Sequence, residues 1–106
     1  MKGLGIDLCR IDRMQRILDG GDGFLRRYFT EAEQAYIARR GKVGAESAAA
    51  MFAAKEAFLK ATGAGIGGGI PLTGIGVVHE ENGQPRYQLG EAAMQRMAQL
   101  GVRLPE

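Results

Sequence analysis

Three charged side chains, Lys55, Glu56 and Lys60, interrupt the apolar stretch "MFAAKEAFLKATG" at residues 51–63. A fourth, Asp7, lies in the segment "GLGIDL" near the start of the chain. Carboxylates are the hard oxygen donors that Mg²⁺ prefers, commonly one or two of them with waters and substrate phosphate completing the shell. Lysines beside such an ion meet the remaining phosphate charge. Together these types suit phosphate chemistry on a divalent cation, provided the fold brings Asp7 to Glu56, which spacing alone does not decide. The plainer alternative is an i,i+4 ion pair from Glu56 to Lys60, worth ~0.3–0.5 kcal/mol. It accounts for the pair but not for the alanines around it. Thiolate and imidazole clusters are excluded, since Cys9 and His79 are the sole residues of their kinds.

The elements that must position these groups are legible in outline. Residues 2–11 alternate, with Leu4, Ile6 and Leu8 on one side and Gly3, Gly5, Asp7 and Cys9 on the other, a strand pattern. Its glycines leave room beside Asp7 for something to approach the backbone. A short helix is expected over 12–19, with Asp12 as cap and Met14, Ile17 and Leu18 as its apolar stripe. Arg10, Arg13 and Arg16 form a basic ridge on another side, and Gly20, Gly21 and Gly23 end the helix. Thr30 and Glu33 have capping-box spacing, opening a helix to about Arg40 that Gly41 closes.

A second, longer helix is expected from about Glu46 to Thr62. At ~100° per residue, Lys55, Glu56 and Lys60 share a sector of roughly 140°, and the rest of the circumference is apolar or alanine. Such a helix is usually enclosed by the protein. The glycine-rich run 63–69 follows, then two strands joined at Asn82-Gly83, a hairpin signal. A last helix places Ala93, Met94, Met97 and Leu100 inward and closes at Gly101.

A chain of 106 residues with a net charge of +2 reads as one domain, and that balance does not suggest a nucleic-acid partner. Within residues 1–42, however, nine basic side chains face six carboxylates, which favours an acidic partner or a phosphate-rich ligand. No apolar run approaches 18 residues and no charged-then-apolar leader is present, so no membrane association and a cytoplasmic location are the expectations.

Gly5-Ile6-Asp7-Leu8 together with Phe52-Ala53-Ala54-Lys55-Glu56-Ala57-Phe58-Leu59-Lys60 closely resembles the paired motifs of the holo-acyl-carrier-protein synthase family of 4′-phosphopantetheinyl transferases. The "FTEAE" helix start and the "ENGQP" hairpin also fall where that family has them, and the likeness runs from about residue 3 to 90. The resemblance implies an α+β domain: a small, mostly antiparallel sheet packed around the 46–62 helix. It implies Mg²⁺-dependent transfer of phosphopantetheine from coenzyme A to a serine of apo acyl carrier protein, a step in fatty-acid and lipid metabolism.

On the same resemblance, Asp7 and Glu56 match the metal carboxylates and Lys60 the lysine near the coenzyme phosphates. Lys55 is a supporting candidate for the coenzyme, as are Gly63 and Gly65 of the glycine run. Glu56 is one candidate for the base that activates the serine, and a metal-bound water is another. The family docks its acidic carrier on the first helix, which makes Arg10, Arg13, Arg16 and the apolar Met14 docking candidates. A homotrimer with sites between subunits is the family habit. On the resemblance, many relatives carry arginine at the place of Met51, and family members continue into a strand with a Ser-His pair, before which this sequence stops. The expectation is therefore one domain over 1–106 lacking that strand. A relative that binds carrier or coenzyme without turnover is the alternative, and an assembly subunit is what the residues suggest without the resemblance.

Overall fold

The computed structural model describes residues 8–63 and 69–101. Five helices and one hairpin follow in the order α1 (Leu8–Asp19), α2 (Gly23–Tyr28), α3 (Glu31–Arg39), α4 (Gly44–Thr62), β1 (Ile75–His79), β2 (Pro85–Leu89) and α5 (Glu91–Leu100). Short 3₁₀ turns at Gly41–Val43 and Leu72–Gly74 lead into α4 and β1. This is the expected α+β architecture, with a two-stranded antiparallel sheet and one long helix. Among the described residues, no helix is long and apolar enough to cross a membrane.

α4 is the axis of the molecule because it is apolar nearly all round, and it packs against α1, α3, β1 and α5. Its first half contributes Ala45, Ala48, Ala49 and Met51 to a core shared with Met14, Phe29, Ile37 and Val77. Its second half contributes Phe58 and Leu59 to another core, with Ile70, Leu72, Ile75, Ala93 and Met97. Met51 is 2% exposed and belongs wholly to the first core. Small side chains on α4 allow neighbours to approach closely. At Gly44 a Cβ would stand 2.9 Å from the Ile37 carbonyl oxygen, so only glycine fits where α3 hands over to α4.

The ends of the elements follow sequence chemistry. Thr30 Oγ1 accepts from Glu33 N at 3.0 Å, while Glu33 Oε1 accepts from Thr30 N at 2.8 Å, completing the capping box that opens α3. Gly41, Gly63 and Gly101 follow α3, α4 and α5 with φ of 57°, 73° and 69°, the left-handed conformation that ends helices at glycine. In the hairpin Ile75 pairs with Leu89 and His79 with Pro85. Asn82-Gly83 sits at its tip, but inside a longer Glu80–Gln84 loop: Glu80 N donates to Gln84 O, and Gly83 N to Glu80 O.

Three expectations are corrected, and one helix was not expected. The strand reading of residues 2–11 fails over Leu8, Cys9 and Arg10, which form the first turn of α1; the preceding residues lie outside those described. Helix wins because Ile11, Met14, Ile17 and Leu18 recur at helical spacing and all pack on the first core. Asp12 is accordingly an exposed residue within α1 and not its cap. α2 begins at Gly23, where glycines had signalled only a stop, and it is held by Phe24 packing against Tyr28, Phe29 and Phe52. In α5 the inward pair is Ala93 and Met97, whereas Met94 and Leu100 are 51% and 43% exposed. Among the described residues α5 packs mainly on α4 and the Leu72–Gly74 turn, and these cover only that pair.

Candidate active site

α1 lies along the first half of α4, and a groove of about 210 Å³ opens between them. Arg10, Arg13, Met14 and Ile17 of α1 line one wall, Ala49, Phe52 and Glu56 of α4 the other, and Phe24 of α2 closes one side. The groove thus joins residues that the sequence could only list separately: two arginines of the basic ridge and the carboxylate of the central helix. Its floor is aromatic and aliphatic, and its charges stand at the rim. Arg16 does not line it. Met14 is 5% exposed, so it forms floor and core instead of a protruding contact.

Glu56 keeps a third of its side-chain surface in solvent, and its Oε1 accepts from Arg10 Nη1 at 3.3 Å. The i,i+4 alternative, Glu56 with Lys60, is not formed: Glu56 turns toward α1, and Lys60 is exposed on the last turn of α4. Among the described residues Lys60 makes no ion pair. Glu56 Oε2 likewise has no hydrogen-bond partner among those residues. Asp7 and Gly65 lie outside the described residues. Asp7 stands three residues before Arg10, a span of at most ~11 Å of extended chain. Among the described residues, no group of three or more His, Cys, Asp or Glu side chains gathers as a metal cluster. The donor offered is a single hard carboxylate, which suits Mg²⁺ in its usual mode of one or two carboxylates plus waters and phosphate.

Lys55 departs most from expectation. Its side chain is 0% exposed, and Nζ donates to Glu33 Oε1 at 2.9 Å, Leu72 O at 2.8 Å and Ile75 O at 2.9 Å. An ammonium has three donors, and all three are used inside the chain, which leaves none for a coenzyme phosphate. Glu33 is equally engaged, its Oε2 accepting from Val77 N at 2.7 Å. One buried ion pair therefore ties together the start of α3, the middle of α4, the 3₁₀ turn and β1. Burial pushes the Lys55 pKa below its ordinary value, opposed by the hydrogen bond and charge of Glu33. With the next residue, Glu56, on the groove side, this hub fixes the rotation of α4 on which Glu56 depends.

Two further contacts hold α4 that the sequence does not announce. Tyr87 of β2 donates its hydroxyl to Ala54 O at 2.8 Å. Arg96 of α5 donates Nε and Nη2 to Thr62 O at 3.1 and 2.9 Å, satisfying a terminal helix carbonyl with a cation. Gly63 lies beside Arg96 in a second, polar cleft of about 390 Å³ with Gly69, Ile70 and Gln95. Glu33 was visible in the sequence only as a cap, and Arg96 only as one polar residue of α5.

Comparison with known proteins gives this geometry a family. The model for the 4′-phosphopantetheinyl transferase superfamily matches residues 3–102. Holo-[acyl-carrier-protein] synthase of Sphingopyxis alaskensis is 46% identical over 99 residues, covering 92% of this chain and 74% of that protein. The protein of the same name from Syntrophus aciditrophicus is 45% identical over 101 residues, covering 94% and 78%. Among solved structures, the crystal structure of holo-[acyl-carrier-protein] synthase from Neisseria meningitidis aligns with a TM-score of 0.76 at 33% identity, covering 89% of this chain and 75% of that one. The chain belongs to the 4′-phosphopantetheinyl transferase superfamily, and within it to the holo-acyl-carrier-protein synthase family. It is accordingly an enzyme of the transferase class.

Proposed function

We propose that the chain transfers the 4′-phosphopantetheine arm of coenzyme A to a serine hydroxyl of apo acyl carrier protein, with Mg²⁺ as cofactor and 3′,5′-ADP as leaving group. The observation that carries the reading is the groove itself, where basic residues of α1 meet Glu56 of α4. The names of the relatives supply the reaction, and their identity to this chain over nine-tenths of its length supports the transfer.

Asp7 and Glu56 would hold the Mg²⁺, whose contribution when bound is to neutralise pyrophosphate oxygens and favour departure of the nucleotide. The rest falls to the chain. Arg10 and Arg13, exposed on α1, attract and orient an acidic carrier so that its serine enters the groove. The serine oxygen forms the new bond to phosphorus as the bond to the ADP oxygen breaks. The hydroxyl proton leaves to Glu56 or to a water held beside it, the two candidates for the base. Lys60, exposed one turn along α4, meets charge on the phosphates. Such displacements depend mostly on positioning and charge neutralisation, which is why the buried hub beside Glu56 matters. The working form is proposed as a cytoplasmic homotrimer, for which sedimentation velocity is the check.

The test is release of 3′,5′-ADP from coenzyme A, followed chromatographically with a soluble apo carrier. Release that needs both carrier and Mg²⁺ and stops on chelation supports the reading. Asp7→Ala and Glu56→Ala should each abolish release while circular dichroism stays unchanged. Full activity of either variant would remove the metal assignment.

A further inference from the structure

Resting on that reading, we infer that Arg96 is a positioning residue for the coenzyme: its guanidinium fixes and neutralises the carboxyl end of α4, so that a phosphate-bearing ligand can be held beside Lys60 and Gly63. The need arises from the helix itself. A helix gathers about half a negative charge on its last carbonyls, and phosphates accordingly sit at helix N-termini. Lys60 and Gly63, which the family resemblance sets beside the coenzyme, lie at the opposite end, in the last turn of α4 and at its left-handed cap. Lys60 is the one basic residue of that turn. A phosphate drawn to it therefore also meets the carbonyls around it.

Two of those carbonyls are answered from within α4 and its cap: Gly63 N donates to Leu59 O and Lys60 O, and Thr62 Oγ1 to Leu59 O at 3.1 Å. Thr62 O is answered from α5, by Arg96 Nε at 3.1 Å and Nη2 at 2.9 Å. A rigid fork of N–H groups closing on one oxygen is a guanidinium geometry. The helix holds Arg96 in place for it, since Ala93 and Met97 on either side are buried in the second core. Arg96 Nη2 stands 3.7 Å from where a Gly63 Cβ would be, so the same group sits where the chain leaves α4 at a φ of 73°. Among the described residues Arg96 pairs with no carboxylate, and its other hydrogen bond is from Nη1 to Gln99 Oε1 at 3.4 Å. The cleft it shares with Gly63 and Gly69 has no acidic residue among its described lining. Its full charge therefore acts on the helix end. Thr62 is about 3 Å along the axis from Lys60, within the single turn over which such a charge is felt.

The experiment compares Arg96→Gln, which removes the charge and keeps an N–H donor, with Arg96→Lys, which keeps the charge and loses the fork. Binding of coenzyme A and of 3′,5′-ADP to the full chain is measured by isothermal titration calorimetry at low and high salt, with kcat and KM for coenzyme A alongside. Arg96→Gln should weaken both ligands about two- to five-fold, the range of one charge at a helix end, raise the KM by the same factor and leave kcat unchanged. Arg96→Lys should stay within about twofold of the parent. The Arg96→Gln deficit should shrink at high salt, as a screened charge effect does and a packing defect does not. Parental binding by Arg96→Gln, or a deficit that salt leaves untouched, overturns the inference alone. So does a folded Arg96→Lys protein weakened about fivefold or more, whatever becomes of Arg96→Gln. Absence of binding of either ligand to the unaltered protein overturns the proposed function along with it.

Discussion

Replacing Lys55 with methionine would remove the cation at the centre of the molecule while filling most of its volume. Glu33, 1% exposed, would then carry its charge in the core. It would keep hydrogen bonds from Thr30 N and Val77 N, but the Leu72 and Ile75 carbonyls would lose the Nζ donor. Removing one partner of a buried ion pair costs about 3–5 kcal/mol, against a typical domain stability of about 5–15 kcal/mol. At about 4–8 °C per kcal/mol for a domain of this size, the midpoint should fall by at least ~12 °C. Adding Glu33→Gln to Lys55→Met should recover part of the loss, because an amide leaves no uncompensated charge while still accepting a backbone N–H. Urea and thermal unfolding followed by far-UV circular dichroism give both numbers. A Lys55→Met protein within ~1 kcal/mol of the parent, or a double variant no better than the single, would refute the hub.

Four other outcomes follow from the same geometry. Lys60→Ala should raise the KM for coenzyme A roughly tenfold or more, the scale of a lost charge-assisted contact, with unfolding unchanged since the side chain is exposed; steady-state kinetics decide it. Arg96→Ala should cost about 1–2 kcal/mol by stripping the Thr62 carbonyl of its two donors, and hydrogen exchange should show the loss concentrated in the last turn of α4. Gly44→Ala should destabilise despite alanine's higher helix propensity, because its Cβ would meet the Ile37 carbonyl oxygen at 2.9 Å; a raised urea midpoint would contradict the close approach. Burial, and secondarily Arg40, hold the His79 pKa below its ordinary 6.5. Below that pH the unfolded chain takes up a proton that the folded chain resists, so stability falls as pH drops from about 6.5 toward the folded pKa. Above 6.5 it is flat in this respect, and His79→Phe, which keeps a ring beside Tyr36, should flatten the acid limb of a urea-midpoint profile.

The sequence showed local chemistry well and tertiary pairing poorly, for physical reasons. The capping box of Thr30 and Glu33, the glycine helix ends and the hairpin around Asn82-Gly83 involve neighbours in the chain, so spacing sufficed. The alternation across "GLGIDL" misled at Leu8–Arg10 because two periods compete there, and packing on α4 chose the helical one. Met94 and Leu100 failed as inward residues because periodicity shows which face is apolar, not how much partner surface exists to cover it. Within the site, the types at Glu56 and Lys60 were visible. That Glu56 turns to Arg10 instead of Lys60 depends on a contact between residues 46 apart in the chain. Lys55 is the clearest case: its motif position suggests a ligand contact, whereas its burial beside Glu33, 22 residues away, gives it a structural one.

The central claim is that the α1–α4 groove serves phosphopantetheine transfer, and intact-mass spectrometry of the carrier tests it most directly. Apo acyl carrier protein incubated with the folded chain, coenzyme A and Mg²⁺ should gain the mass of one phosphopantetheine arm on its serine. The same incubation with Glu56→Gln, which is isosteric and uncharged, should slow that gain by roughly a hundredfold or more, the scale of several kcal/mol of lost charge stabilisation. A cognate carrier whose mass stays unchanged in the presence of folded protein would contradict the account. So would a Glu56→Gln protein that modifies the carrier at the parental rate.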